Sequence, residues 1–240
     1  MIAPRFLATI AIGLALAGNT AIAATPALAS HAVMTEANAY QAPLMRDKTV
    51  LLIVDQQVGL LSGVRDTSVS QLKHNVVALV KAAKVMGIPI VVTETMPNGM
   101  WGPIFPELKN ELGNIPVIER SLINAWDDPK VRAAIEKTGR KQILVAGVSL
   151  EVCATFPALS AKAAGYDSRV VLDASGTFNQ AKRETGVQRL LGAGVPVVDY
   201  ATAAVEWLHD NADPKAAALY SALDMENAVL VWQMHQGQKN

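Results

Sequence analysis

Short runs of apolar and β-branched residues alternate along this chain with stretches in which apolar positions recur at the helical period. The runs predict six strands, and these lie at residues 49–54, 89–93, 116–118, 142–146, 169–172 and 195–198. Their residues are apolar on both faces, which is typical of strands that other elements cover on both sides. Strands separated by helices predict a parallel sheet, because each crossover helix must pack back against one of its faces.

Amphipathic stretches between the strands predict the helices that cover the sheet. They lie at residues 69–86, 128–137, 151–165, 180–192, 202–211 and from 214 to about 233. The predicted fold class is therefore α/β, a three-layer α/β/α arrangement with a six-stranded parallel sheet in the middle. One long connection, residues 96–114, contains only a short helical patch, and connections of this length tend to cover sites or subunit contacts.

The first 30 residues differ in composition from the rest, since Arg5 is their single charged side chain and a largely apolar run follows it at residues 6–17. This run is shorter than the roughly 20 residues that span a bilayer, and small-x-small triplets near residues 23 and 29 offer cleavage sites. We therefore expect a signal peptide over residues 1–29, an extension over 30–46 and one folded domain over 47–240. The expected location is the periplasm, and an uncleaved membrane anchor is the alternative.

The composition limits the classes of partner. With 240 residues, 51% of them hydrophobic, the chain can bury the core of one medium domain. Twenty-one basic residues balance twenty-one acidic ones, so the net charge of zero offers no electrostatic attraction for nucleic acid or for an anionic membrane surface. We expect a small-molecule partner, no nucleic acid and, after signal cleavage, no membrane.

Three polar residues stand where strands of the predicted sheet end. Asp55 closes the first strand, Arg120 follows the third and Cys153 follows the fourth. Ligands of an open parallel sheet bind in the crevice beyond the carboxyl ends of its strands, so we expect these side chains to converge there. Each residue alone has an ordinary structural explanation, as a buried cysteine, a capping aspartate or a surface ion-pair partner. Their convergence is what favours catalysis.

Cys153 is the only cysteine of the chain, so it cannot form an intramolecular disulfide. Its predicted place is the first turn of the helix at 151–165, where unpaired N–H groups and the helix dipole favour a thiolate and lower the thiol pKa. The same N–H groups could hold an oxyanion. With Arg120 stabilising charge and Asp55 handling protons, this set of residues predicts acyl transfer through a cysteine nucleophile.

Two motifs at these positions resemble those of the isochorismatase-like cysteine hydrolases. A hydrophobic-Val-Asp-x-Gln strand end is matched by Asp55 and Gln57, and a Gly-Val-x-x-x-x-Cys turn is matched by Gly147, Val148 and Cys153. The resemblance covers nearly all of residues 48 to about 209.

Further segments are similar to the YcaC-like subgroup of this family, and they lie at residues 124–127, 156–161 and 173–179. One position departs from the family pattern, since the third catalytic residue is normally a lysine and Arg120 stands in its place. An arginine cannot shuttle protons, but it can stabilise a thiolate or an oxyanion.

The resemblance implies a six-stranded parallel sheet, a homo-oligomer and a strained, commonly cis, peptide at Val148–Ser149 that opens the oxyanion pocket. Trp101, Trp126 and Phe178 lie on connections near the predicted crevice, where they would either line a small apolar pocket or pack a subunit interface. The candidate substrate-binding residues are Gln57, Trp126, Val148, Ser149 and Phe178.

The histidines argue against a metal. Nicotinamidases of this family hold a metal through an Asp-x-His pair and a further histidine, but His31, His74, His209 and His235 have no ligand spacing and none lies near a strand end. We expect no metal and no cofactor, and therefore an activity other than nicotinamidase.

These observations predict hydrolysis of a small amide or related carbon–nitrogen bond, with Cys153 attacking, Asp55 handling protons and Arg120 stabilising charge. Three alternatives stay open: a vinyl-ether hydrolase of the isochorismatase type, a non-catalytic binding or scaffold protein on a hydrolase fold, and a redox-sensing thiol.

Overall fold

The computed structural model describes residues 42–225 and residue 234. Six strands form one sheet in the order β3-β2-β1-β4-β5-β6, and every neighbouring pair is parallel. The strands are β1 (Thr49–Val54), β2 (Ile90–Thr95), β3 (Val117–Arg120), β4 (Gln142–Gly147), β5 (Asp167–Val171) and β6 (Val197–Val198). The predicted six-stranded parallel sheet is confirmed.

Helices cover both faces of this sheet within the described residues. They are α1 (Val58–Ser62), α2 (Val69–Met86), α3 (Pro106–Leu112), α4 (Pro129–Lys137), α5 (Thr155–Ala163), α6 (Gln180–Gly192), α7 (Tyr200–Leu208) and α8 (Ala216–Leu223). One core cluster contains apolar residues of α1, α2, α3, α7 and α8, and the other contains those of α4, α5 and α6. The predicted α/β/α layering is therefore confirmed.

β1 lies between these two clusters and explains the two-sided apolar pattern. Leu51 and Ile53 pack into the first cluster, whereas Leu52 and Val54 pack into the second, and all four are fully buried. Burial of each such side chain stabilises the fold by roughly 1.5–3 kcal/mol.

The order of the strands creates a crevice beside β1. The chain builds β1, β2 and β3 toward one edge and then returns to place β4 on the other side of β1. At such a reversal the connections leave the sheet in opposite directions, and ligands bind in the opening at the carboxyl ends of the strands. Asp55, which follows β1, and the turn that follows β4 face this opening from its two sides.

Several predicted boundaries were wrong. The helix predicted at 151–165 begins instead with a π-helical turn, Leu150–Ala154, and continues as α5. The helix predicted at 202–211 starts at Tyr200, because Asp199 accepts the Thr202 N–H at 2.8 Å and caps it there. The last predicted strand shortens to β6, and α1 was not predicted.

The observed core begins before residue 47, the predicted start of the folded domain. Leu44 is fully buried in the first core cluster, and its N–H donates to Glu206 Oε2 at 2.8 Å. The expected signal peptide, residues 1–29, lies outside the described residues, as does the part of the helix predicted at 214–233 that follows residue 225. Among the described helices, none is long and apolar enough to cross a membrane.

Asp173, which follows β5, is expected to make the stability of the fold depend on pH. Burial raises its pKa to about 6, and the nearby charge of Asp199 acts in the same direction. Between the unfolded-state pKa near 4 and this folded-state value, the unfolded chain loses its proton first, so stability falls as the pH rises.

We therefore expect Asp173→Asn to be more stable than the wild type at pH 8 by about 1–2 kcal/mol, a value reduced for screening at this partly exposed carboxyl. The amide still accepts the Tyr200 N–H that Asp173 Oδ1 holds at 2.9 Å. Urea unfolding at pH 8 and near pH 4 checks this, with the exposed Asp47→Asn as control. An equal difference at both pH values would contradict the assignment.

Candidate active site

Asp55 is held directly beyond β1 by its backbone. Its φ of 55° is in the left-handed region, which is uncommon for an aspartate, and its N–H donates to Thr93 O of the neighbouring strand at 3.0 Å. The residue is 1% exposed. The carboxylate is therefore fixed at the mouth of the crevice and shielded from bulk water.

Arg120, the last residue of β3, forms a buried ion pair with Asp55. Its Nη2 donates to Asp55 Oδ2, while its Nη1 donates to Leu122 O and, at 3.2 Å, to Ile123 O. The side chains of both partners are almost completely buried. Because an arginine keeps its charge at any ordinary pH, it gives the carboxylate a permanent counter-charge.

Cys153 lies in the π-helical turn after β4. Its N–H donates to Ser149 O at 2.7 Å, and the residue is partly exposed. A Cβ on Gly147 would lie 3.1 Å from the Cys153 carbonyl carbon, so the turn packs tightly against the strand end. The structure thus brings Asp55, Arg120 and Cys153 together from three elements of the sheet edge.

Asp55 and Cys153 influence each other's protonation. Burial raises the pKa of Asp55, and Arg120 and the Cys153 thiol oppose this rise. Burial also raises the pKa of Cys153 well above its usual value, and the Asp55 carboxylate adds to the effect. Asp55 Oδ1 has no hydrogen-bond partner among the described residues. The resting site therefore contains a neutral thiol next to a carboxylate with raised basicity.

This result corrects the sequence prediction of a lowered thiol pKa. The predicted cause was a helix N-terminus with unpaired N–H groups, but the N–H groups of Val152, Cys153 and Ala154 all point to Ser149 O, at 3.3, 2.7 and 3.3 Å. These N–H groups are therefore paired inside the turn and do not stabilise a thiolate. The rise of the thiol pKa caused by burial is larger than the lowering caused by the charge of Arg120.

The Val148–Ser149 peptide is cis, as the resemblance implied. Val148 is fully buried, with its N–H donating to Val54 O at 3.2 Å, whereas the Leu150 N–H donates to Gly176 O at 2.9 Å. Between them, the Ser149 N–H donates to the Cys153 sulfur and opposes the rise of the thiol pKa. It is therefore directed at the sulfur, unlike the N–H of Cys153, which donates to Ser149 O.

The other candidate residues have packing contacts of their own. Gln57 is fully buried, and its amide donates to Thr95 O at 2.9 Å and to Gly102 O while accepting the Thr95 N–H at 2.9 Å. Trp126 is 8% exposed and packs edge-on against Tyr166 at 5.4 Å between ring centroids. These contacts give both residues structural roles.

Phe178 is partly exposed and packs over Gly63, where an added Cβ would lie 3.0 Å from its ring. Its contact with a substrate stays a prediction.

Glu94 is an acidic neighbour of Asp55 that the sequence pattern did not indicate. It is the fifth residue of β2 and 9% exposed, and its Oε2 accepts the Ile104 N–H at 3.2 Å. Its negative charge opposes ionisation of Asp55. The available signal was an acid at the end of an apolar strand, but the strand predicted at 89–93 stopped one residue short of it.

A polar network supports the turn that contains Cys153. Thr177 Oγ1 donates to Glu151 Oε2 at 2.6 Å, and the Thr177 N–H donates to Asp66 Oδ1 at 2.7 Å. Asp66 in turn pairs with Arg183 at 2.6 Å. The network joins the turn of Cys153 to α6 and to the loop after α1. In the part of the chain that the structure describes, no group of three His, Cys, Asp or Glu side chains could hold a metal ion.

Comparison with known proteins relates this geometry to one family. The sequence profile of the isochorismatase domain matches residues 49–202. The probable hydrolase YcaC of Escherichia coli K12 is 43% identical over 168 residues, which cover 70% of this chain and 81% of YcaC.

Solved structures agree. A crystal structure of Escherichia coli YcaC, described as an octameric hydrolase of unknown specificity, has a TM-score of 0.77 at 38% identity and covers 81% of this chain and 97% of its own. YcaC from Pseudomonas aeruginosa, solved with hexane-2,5-diol and covalent acrylamide, has a TM-score of 0.75 at 37% identity, with coverages of 80% and 97%.

Proposed function

The chain belongs to the isochorismatase family of hydrolases, in its YcaC-like subgroup, and from that premise we propose that it cleaves a small amide or related carbon–nitrogen bond through Cys153. The observation that carries the proposal is the convergence of a thiol, a carboxylate of raised pKa and a buried arginine on one crevice. These are the groups that acyl transfer to a thiol requires.

In the first step, the Cys153 sulfur attacks the amide carbon as its proton passes to Asp55. The carbonyl π electrons move to oxygen, and the Ser149 N–H, which faces the Cys153 sulfur in the resting site, is the donor proposed to turn to that oxyanion. Collapse of the tetrahedral intermediate breaks the carbon–nitrogen bond, and Asp55 gives its proton to the leaving nitrogen. A thioester on Cys153 and a free amine result.

In the second step, water attacks the thioester while Asp55 again accepts a proton. Collapse of this intermediate expels the Cys153 sulfur, which takes the proton back, and a carboxylic acid is released. Arg120 holds Asp55 in place and offsets its charge throughout without exchanging a proton. The raised pKa of Asp55 suits this role, because a base is most effective when its pKa approaches the working pH.

Covalent acrylamide in the Pseudomonas aeruginosa structure supports the nucleophilic part of the proposal, because acrylamide adds a nucleophile at its β-carbon without cleavage of its amide bond. A related site in this chain would place such a molecule beside its single thiol.

Intact-mass analysis during turnover of a panel of small amides tests the proposal. After acid quenching, we expect the mass of the wild type to increase by the mass of the acyl group on Cys153. The mass of Cys153→Ala should not change. Hydrolysis of an isochorismate-type vinyl ether with no adduct would replace this proposal with the alternative chemistry.

We further propose that the chain forms a homo-oligomer, since its relative YcaC is octameric. Four strongly exposed apolar side chains lie on the two connections that follow β2 and β3, and an interface would cover them: Met96, Met100, Leu122 and Ile123. Light scattering on the purified protein would give a multiple of the chain mass, whereas a monomer would contradict the proposal.

Export to the periplasm is proposed on the sequence of residues 1–29 alone. The mass of the protein recovered from a periplasmic extract should correspond to a chain beginning after Ala23 or Ala29. Recovery of the full-length chain in the cytoplasm would argue against export.

A further inference from the structure

Glu94 has features that the proposed reaction does not use. Val54 and Thr93 are partners in the β1–β2 ladder, so Asp55 and Glu94 follow each other side by side at the ends of neighbouring strands. Glu94 is 9% exposed. An acid this buried normally has a cation or several hydrogen-bond donors beside it.

The surroundings of Glu94 satisfy only half of its carboxylate. Oε2 accepts the Ile104 N–H, whereas Oε1 has no hydrogen-bond partner within residues 42–225 and is not sealed from solvent, and no basic side chain there lies within ion-pair distance. Arg120 is engaged by Asp55 and by two carbonyl oxygens. The crevice therefore combines two carboxylates with one arginine and a neutral thiol, which leaves one negative charge without a counter-charge.

We propose that Glu94 is a specificity-determining residue that accepts an N–H group of the substrate and favours amides carrying a positively charged nitrogen over amides carrying a carboxylate. The inference rests on the proposed function, because it names the substrate class of the same site. A cationic nitrogen of the substrate would donate a hydrogen bond to Glu94 and provide its counter-charge. A substrate carboxylate would instead be repelled by the Glu94 carboxylate, and water would screen this repulsion only weakly. The same charge disfavours a dicarboxylate such as isochorismate.

The charge preference can be measured without knowing the substrate, because Cys153 is the single thiol of the chain. Rate constants for alkylation by 2-bromoethylamine, iodoacetamide and iodoacetate are measured at one pH and divided by those of N-acetylcysteine. The rate constant for the cationic reagent is then divided by that for the anionic reagent, so that any change in thiol reactivity common to both cancels. The ratio therefore reports only on the charge near the sulfur.

We expect the wild type to favour the cationic reagent by about tenfold or more, since β2 and β4 lie two strand spacings apart, roughly 10 Å, and a unit charge at that distance and an effective dielectric constant of about 20 has an effect of that size. In Glu94→Gln, which retains an acceptor for the Ile104 N–H, the ratio should fall about tenfold. The matched control is Glu119→Gln, an exposed acid on β3, in which the ratio should stay within about twofold.

A ratio that is equal in the wild type and in Glu94→Gln, or a wild type that favours iodoacetate, would overturn the inference. Alkylation needs no turnover, so this outcome is separate from the fate of the proposed hydrolysis. If no amide is cleaved but the ratio falls as expected, the charge preference of Glu94 stands and the proposed reaction fails.

Discussion

Cys153→Ala is expected to reduce amide hydrolysis by about 10³-fold or more, because removal of a nucleophile leaves only the contribution of binding and oxyanion stabilisation. Cys153 is partly exposed and small, so its loss should leave the fold intact. The rate is measured on the amide that the wild type cleaves best, and thermal unfolding of the two proteins serves as the control for folding.

Cys153→Ser provides the matched comparison, since it keeps a donor of similar size with a weaker nucleophile. We expect it to be nearly as inactive as Cys153→Ala. A folded Cys153→Ala protein with the wild-type rate would remove the thioacyl mechanism and favour a vinyl-ether hydrolase, which depends less on the cysteine.

Arg120→Ala is expected to lower the free energy of unfolding by about 3–5 kcal/mol, because it leaves the Asp55 carboxylate buried without its counter-charge. Arg120→Lys should recover part of this loss. In the double variant Asp55→Asn/Arg120→Ala the cost should be smaller than in Arg120→Ala, since no unpaired charge remains. Chemical denaturation of the wild type and the three variants measures the differences.

The decrease in the free energy of unfolding caused by Arg120→Ala should also depend on pH. Arg120 lowers the pKa of Asp55, which burial has raised, so its removal raises that pKa further. The unfolded chain then releases this proton at a lower pH than the folded chain, and stability falls as the pH rises between the two values. We therefore expect a larger deficit at pH 8 than near pH 4. A deficit that does not change with pH would show that Asp55 is not the group concerned.

The sequence was sufficient to predict the elements whose local signals and tertiary contacts agree. β1 and α2 were predicted with their observed limits, because β1 is an uninterrupted apolar run and α2 is bounded by the Ser68 cap and the left-handed Gly87. β6 was overestimated at its start, where Pro196 has no N–H to contribute to a ladder.

The rule that ligands bind beyond the carboxyl ends of parallel strands also located Asp55, Arg120 and Cys153. It could not predict the protonation states of these residues. The direction of the thiol pKa depends on burial and on the distance to Asp55, and neither is visible in the chain order. The π-helical turn depends on Ser149 O accepting three N–H groups, a tertiary arrangement without a local signature. Glu94 was missed because strand ends are the least certain part of a pattern-based prediction.

Activation of Cys153 by Asp55 is the central claim, and the pH dependence of Cys153 alkylation by acrylamide tests it most directly. In the wild type the rate should rise through one ionisation, that of Asp55, at a pH above the usual range of an aspartate and then level off, and Asp55→Asn should lack this step. A wild-type rate that rises tenfold per pH unit from 6 to 9, unchanged in Asp55→Asn, would contradict the account, because the thiol would then react without its neighbour.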